Sequence, residues 1–297
     1  MAEVARRLPR AAASPVAQRR RSLVLRLVSN QRVVAGATVL LVTFAVALLA
    51  DVLAPYEPNA QILAERLAGP SLAHPFGQDH LGRDVLSRAI YGARVSLGVG
   101  FSSVAITIVI GTIIGVAAGY FGRWTDSVLM RFVDVFISIP VFMLLLTVVA
   151  IYGSNVGLLV AFIGISAFPG AARIVRAEVL SLMPRDFILA ARVVGASPLR
   201  IMARHLVPNL MPVIIVSATL RVGAAILTEA GLSYFGLGVP PPAPTWGGMV
   251  ADGRTFLDVA WWVSTFPGLA LLVVVIATNL VGDGLRDVFD PRRAHLT

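Results

Sequence analysis

The side chains able to make or break bonds are few in this chain, and their spacing rules out most chemistries. Gly164-Ile165-Ser166-Ala167 has the G-x-S-x form of an intramembrane serine nucleophile. Such a serine needs a base within hydrogen-bond reach, and His74, His80, His205 and His295 all fall outside the apolar runs. His74 and His80, with Asp79 and Asp84 nearby, carry metal-ligating types at a spacing that fits no standard ligand set, so they read as a structured loop. The absence of Cys removes thiolate and disulfide chemistry. All 25 basic residues are Arg. A phosphate-binding loop needs a Lys to reach the nucleotide, so any ATP that drives this protein is hydrolysed by another chain.

Two charged residues fall within one apolar run, Arg221 and Glu229. Intramembrane charges are costly and normally face an interior or a water-filled path. Eight residues apart, about 12 Å along a helix, they are too distant to pair directly. Both are candidates for lining a pathway, Arg221 the stronger of the two, because Glu229 fits the outer interface equally well.

The segment Asp186 to Asn209, DFILAARVVGASPLRIMARHLVPN, is built as helix, turn, helix. Asp186 suits a helix N-terminus electrostatically. Phe187 to Val194 is expected to be a short helix that Gly195 ends. Ser197 can cap the next helix and Pro198 can take its first position. Leu199 to Leu206 is amphipathic, with Arg200 and Arg204 on one face. Pro208 and Pro212 are expected to break the path into the following span. Ala190 and Ala191 leave a surface without bulk for close docking. The residues alone admit two readings: a docking site for a soluble partner, or a basic loop resting on anionic headgroups.

These residues sit in a chain solvated by lipid. Its 297 residues are 57% hydrophobic and 14% charged, with a mean hydropathy of +0.82, against roughly 45–50% and about 25% in soluble domains. The apolar runs are Val33 to Leu53, Val95 to Tyr120, Phe132 to Ile151, Val156 to Ala172, Pro212 to Tyr234 and about Trp261 to Val281. Each is near the roughly 20 residues that span a bilayer. The first is long for a secretory leader, despite Ala45-Val46-Ala47, and reads as an uncleaved span. Gly111, Gly115 and Gly119 in the second run lie on one helix face, where small residues allow close helix packing in lipid.

Arg placement sets the orientation. With the N-terminus inside, nineteen Arg fall in cytoplasmic segments and five outside. This agrees with the positive-inside rule and explains a pI near 11.2 without nucleic acid. The expected organisation is a basic cytoplasmic tail over 1–32, a first span over 33–53 and an extracytoplasmic loop over 54–94. A five-helix core over 95–282 follows, with a cytoplasmic loop over 173–211, then a cytoplasmic tail over 283–297.

The docking segment resembles the Glu-Ala-Ala loop of binding-protein-dependent ABC transporter permeases: EAA, three residues, Gly, nine residues, then I-x-L-P. Here it aligns as Leu189-Ala190-Ala191, Gly195, then His205-Leu206-Val207-Pro208, with the spacing kept. Leu189 stands for Glu, His205 for Ile and Val207 for Leu, and Asp186 offers an acid one turn earlier. HPFGQDHLGRDVLSRAIYGARVSL, His74 to Leu97, is similar to a signature of dipeptide, oligopeptide and nickel permeases. So are LTEAGLSYFGLGVPPPAPTWGGMV, Leu227 to Val250, and the closing GDGLRDVFDPR.

The resemblance implies an all-α membrane protein with six transmembrane helices, both ends cytoplasmic, in the type I ABC importer permease fold. It points to the second, C-type, permease subunit of a di- or oligopeptide importer in the bacterial inner membrane. It further implies a homologous partner permease, two ATPase subunits that bind ATP and Mg, and an extracytoplasmic solute-binding protein. No cofactor or metal is expected in this chain. Asp186, Ala190, Ala191, Gly195, Ser197, Pro198 and Arg200 would meet the ATPase. The alternative, a stand-alone secondary transporter or channel, leaves the docking segment unexplained, and no inverted repeat is visible.

Overall fold

The computed structural model describes residues 25–289; most of the basic tail, and Arg292, Arg293 and His295, lie outside the described residues. Every named element is a helix. Asn30 opens α1, Gln31–Leu48, by accepting hydrogen bonds from the backbone N–H groups of Arg32 and Val33. A further turn, Ala50–Leu53, follows.

Asp84 caps α2, Val85–Phe121, accepting from the Ser87 amide at 2.7 Å. The helix thus begins ten residues ahead of the apolar run at Val95. Its 37 residues span about 55 Å, against roughly 30 Å of hydrocarbon, so one end projects beyond the bilayer.

The third apolar run is not one straight helix. It is divided into α3, Arg123–Ser138, and α4, Val141–Tyr152, bent by 83°. Pro140 causes the break: it disfavours helical geometry at Ile139, which is extended (φ −89°, ψ 124°). α5, Val156–Leu182, carries Pro169 within it and runs ten residues past Ala172. With the bent pair taken as one span, six segments among the described residues are long and apolar enough to cross a membrane.

α6, Asp186–Val193, and α7, Pro198–Ile201, follow. The expected break at Pro208 and Pro212 does not occur. A π-helical segment, Met202–Leu206, joins α7 to α8, Val207–Tyr234, and the whole runs unbroken from Pro198 to Tyr234. The Val207 amide bonds to the Met202 carbonyl, five residues back. This widened turn lies just ahead of Pro208, where a proline lacks its N–H and crowds the preceding turn. A short helix, α9, Trp246–Gly253, lies in what reads from sequence as a Pro-rich loop, and α10, Trp262–Phe289, completes the bundle.

α2 and α5 form the central packed pair, with α8 and α10 beside them and α1 on α10. A methyl placed at Gly111 would lie 2.6 Å from the Ala171 Cβ, at Gly115 2.6 Å from the Ala172 carbonyl, and at Gly119 2.7 Å from Val179. The glycine row therefore lets the two backbones approach. Thr107 and Ser103 of α2 also donate to the Gly164 and Val160 carbonyls of α5, at 2.8 and 3.1 Å. A second apolar cluster sits at one end of the bundle, joining Val116, Val175 and Val179 to Ile188, Ile201, Leu206, Leu210 and Ile214.

Candidate functional site

The segment between α5 and α8 is held by three buried side chains, Ile188, Ile201 and Leu206, and presents an apolar tip. Ile188 is fully buried in the end cluster, and Ala191 packs half-buried against it. The opposite side of the segment is open: Val193 is 87% exposed, Val194 85% and Leu199 72%. Leu189, Ala190, Arg192 and Arg200 surround these residues on the exposed side. Asp186 occupies the first turn of α6, where its charge complements the helix dipole.

The turn is tightly specified. Gly195 has φ +79°, and its amide bonds to the Arg192 carbonyl at 2.9 Å, while the Ala196 amide reaches the Ala191 carbonyl at 3.0 Å. This is the paired 5→2 and 6→1 pattern of a glycine-terminated helix. Ser197 then accepts from the Arg200 amide, with Pro198 in the first helical position. Sequence reasoning singled out the small residues here. It passed over Val193, Val194 and Leu199, whose exposure as apolar side chains is the stronger signal of an interaction surface.

Two ion pairs tie α5 to α3 near this end. Arg176 meets both oxygens of Asp126, and Arg173 donates to Asp134 at 2.6 Å. The eight-residue spacing of the two acids on an amphipathic helix was the available clue.

On the opposite side, the HPFGQDHLGRD stretch folds into a polar network in which His80 Nδ1 alone is buried without a hydrogen-bond partner among the described residues. Asp79 pairs with Arg83 at 2.7 Å and lies 3.6 Å from Arg88. His74 bonds Asp84 at 2.8 Å, and the Gln78 amide donates to Glu65 at 3.0 Å. Arg88 reaches the Pro58 carbonyl and Asn59 at 3.1 and 3.2 Å. Trp262 and Trp246 fasten this region to α10 and α9 by donating to the Gln78 and Ala89 carbonyls. No cluster of three or more metal-ligating groups occurs among the described residues. Ser166 donates to the Ile163 carbonyl of its own helix at 3.0 Å, which is a structural bond.

The structure separates the two intramembrane charges. Glu229 is completely buried within the chain; its Oε1 accepts from the Ser233 hydroxyl at 2.7 Å and its Oε2 has no hydrogen-bond partner among the described residues. Thr245, at the start of α9, adjoins it. Arg221 is half-buried and borders two clefts. One, of about 560 Å³, lies between α5, α8 and the end of α10 and includes Ser217 and Arg286. The other, of about 360 Å³, lies between α2, α4, α5 and α8 and includes Thr107, Ser166 and Thr228. Arg221 and Ala224 line both, whereas Glu229 lines neither.

Comparison with known proteins places this architecture. The family model described as the binding-protein-dependent transport system inner membrane component matches residues 111–295. A second, the N-terminal TM domain of oligopeptide transport permease C, matches residues 20–70. The dipeptide transport system permease protein of Alkalihalophilus pseudofirmus is 40% identical, over 90% of this chain and 88% of the relative. The di/tripeptide transport system permease protein of Pseudomonas aeruginosa is 40% identical, over 89% of each. The glutathione transport system permease protein of Pectobacterium atrosepticum is 42% identical, over 88% of this chain and 86% of the relative. Among solved structures, the inward-facing MetNI methionine ABC transporter shares the fold, with a TM-score of 0.56 at 22% identity, over 69% of this chain and 97% of that one. An all-helical bundle with up to six segments long and apolar enough to cross a membrane among the described residues, and a family match over more than half the chain, lead to one conclusion: the protein belongs to the binding-protein-dependent transport system inner membrane component family, the permease subunits of ABC importers.

Proposed function

We propose that the chain is the C-type permease of a di- or oligopeptide importer in a bacterial plasma membrane, with both termini cytoplasmic. Its partners are a homologous second permease, two ATPase subunits that hold ATP and Mg, and an extracytoplasmic solute-binding protein. The peptide cargo is supported by relatives of 40–42% identity whose names specify dipeptide, di/tripeptide and glutathione transport.

The segment Asp186 to Arg200 docks the ATPase. The observation that carries this reading is the apolar tip of Val193, Val194 and Leu199, exposed to solvent yet fixed to the bundle through the buried Ile188. A tip of this kind transmits force, because α6 has little freedom to move without α2, α5 and α8. Ala190 lets the partner approach closely, Ala191 lets α6 lie flat on the cluster, and Gly195, Ser197 and Pro198 fix the angle between the two short helices. ATP-driven closure of the ATPase pair then pulls on the bundle ends and alternates access to the pathway.

The test is reconstitution of this chain with its co-expressed partners in proteoliposomes. Peptide uptake that needs ATP, the solute-binding protein and both permeases supports the reading. Uptake by this chain alone, without ATP, overturns it.

A further inference from the structure

Arg221 is a membrane-embedded cation with no carboxylate in ion-pair range among the described residues. Its Nε donates to the Ser217 hydroxyl at 3.2 Å and its Nη1 to the Ala167 carbonyl at 3.3 Å, both neutral acceptors. A guanidinium has five N–H donors, so three remain without an acceptor. Nη2 lies over Gly170, where an added Cβ would sit 2.9 Å away. The guanidinium is therefore positioned: two bonds fix its plane and a missing side chain makes room for it.

The place matters as much as the charge. Ser217, Arg221, Ala224, Thr228 and Gly231 recur every three or four residues and form one face of α8. The Ser217 end of this face lines the larger cleft and the Gly231 end the smaller one. Arg221 is shared by the two, the only charged side chain among the described residues lining the smaller cleft, and Arg286 also lines the larger. Intramembrane charges that face a cavity mark ion and substrate paths. A planar guanidinium with free donors matches a carboxylate through two parallel hydrogen bonds.

We propose that Arg221 binds a free carboxylate of the cargo as it passes between the two clefts, so that the permease itself selects for anionic or C-terminally unblocked substrates. This rests on the peptide-importer reading above. One guanidinium shared by two clefts suits a transport step, which needs attraction strong enough to draw the group in and weak enough to release it. Gly170 and Ser217 act as positioning residues for that contact.

The experiment uses the assembled importer in proteoliposomes, with the solute-binding protein saturated by a dipeptide or by its C-terminal amide, the pair chosen so that the binding protein takes up both. The expected result is faster import of the free acid than of the amide by the wild-type complex. Arg221→Gln should lower import of the acid about tenfold, the scale of one lost charge-assisted hydrogen bond, and leave the amide unchanged. If Arg221→Gln does not assemble with its partners, Gly170→Ala makes the same comparison, because the added methyl displaces the guanidinium while retaining its charge. Equal losses for acid and amide, as expected if Arg221 instead pairs with an acid of the second permease or a lipid phosphate, overturn the proposal. So does no loss for either. Absence of dipeptide import by the wild-type complex would overturn the peptide reading itself, and the wild-type arm alone reveals it.

Discussion

Arg176 on α5 grips both carboxylate oxygens of Asp126 on α3 through Nε and Nη2. The same turn of α5 lies against α2, because the Arg176 carbonyl would be 3.2 Å from a methyl at Gly119. One residue thus joins three helices next to the cluster that seats α6.

Breaking this pair should loosen α3 without preventing membrane insertion. Bidentate, charge-assisted bonds in a part-buried site contribute about 1–3 kcal/mol. Asp126→Asn and Arg176→Gln should each lower the detergent-solubilised melting temperature, and the double variant should lose no more than the worse single. Additive losses would mean that the two side chains stabilise the fold separately.

Gly115→Val should be among the most damaging single changes in the bundle. The Ala172 carbonyl and Val175 already lie 2.6 and 2.8 Å from the position of an added Cβ. Overpacking of this kind destabilises by about 1–3 kcal/mol. Gly98 is the control on the same helix, with nothing within 4 Å, and Gly98→Ala should melt at or slightly above wild type, because Ala favours the helix interior over Gly. Equal melting temperatures for the two variants would show that the glycine row does not set the approach of α2 and α5.

Much of this architecture is legible in the sequence, because lipid solvation leaves long apolar runs and helix ends carry local signals. Gly195, Ser197 and Pro198 each occupy the position their chemistry demands. What was not legible depended on tertiary partners. Val85–Val95 extends α2 beyond the apolar run because Asp84 caps it and Arg88 finds acceptors thirty residues upstream. α9 hides between prolines and glycines because it is held through Trp246, which bonds to Ala89, 157 residues away. The path through Pro208 stays helical because a π-turn accommodates the ring, and residue type alone does not announce that turn. Glu229 and Arg221 look alike in sequence, and only packing separates a buried carboxyl from a cation on a cleft.

Gly195→Val tests the turn. At φ +79° a β-branched residue is strained by about 1–2 kcal/mol, and nothing lies near enough to clash. The variant should insert and fold but recover less ATPase on co-purification, whereas Gly195→Asn, which tolerates this conformation, should recover near-normal amounts. Wild-type recovery by Gly195→Val would free the turn of any part in docking.

Orientation is open to direct labelling, because the natural chain has no Cys. Leu72 is fully exposed, and Leu72→Cys should react with an impermeant thiol reagent added to whole cells. Leu199→Cys, at a site 72% exposed in the chain alone, should react only after permeabilisation of cells that lack the ATPase partner. The reverse pattern would invert the topology and put the docking tip on the wrong side of the membrane.

The central claim is that the exposed tip between α5 and α8 couples this permease to an ATPase. Val194→Arg tests it most directly, because Val194 is 85% exposed and its replacement leaves the buried anchor Ile188 untouched. The measurement is ATP-dependent peptide import by the reconstituted complex, alongside the amount of ATPase that co-purifies. The account predicts loss of both, with a monodisperse, normally melting permease. Wild-type import and full ATPase recovery by Val194→Arg would contradict it.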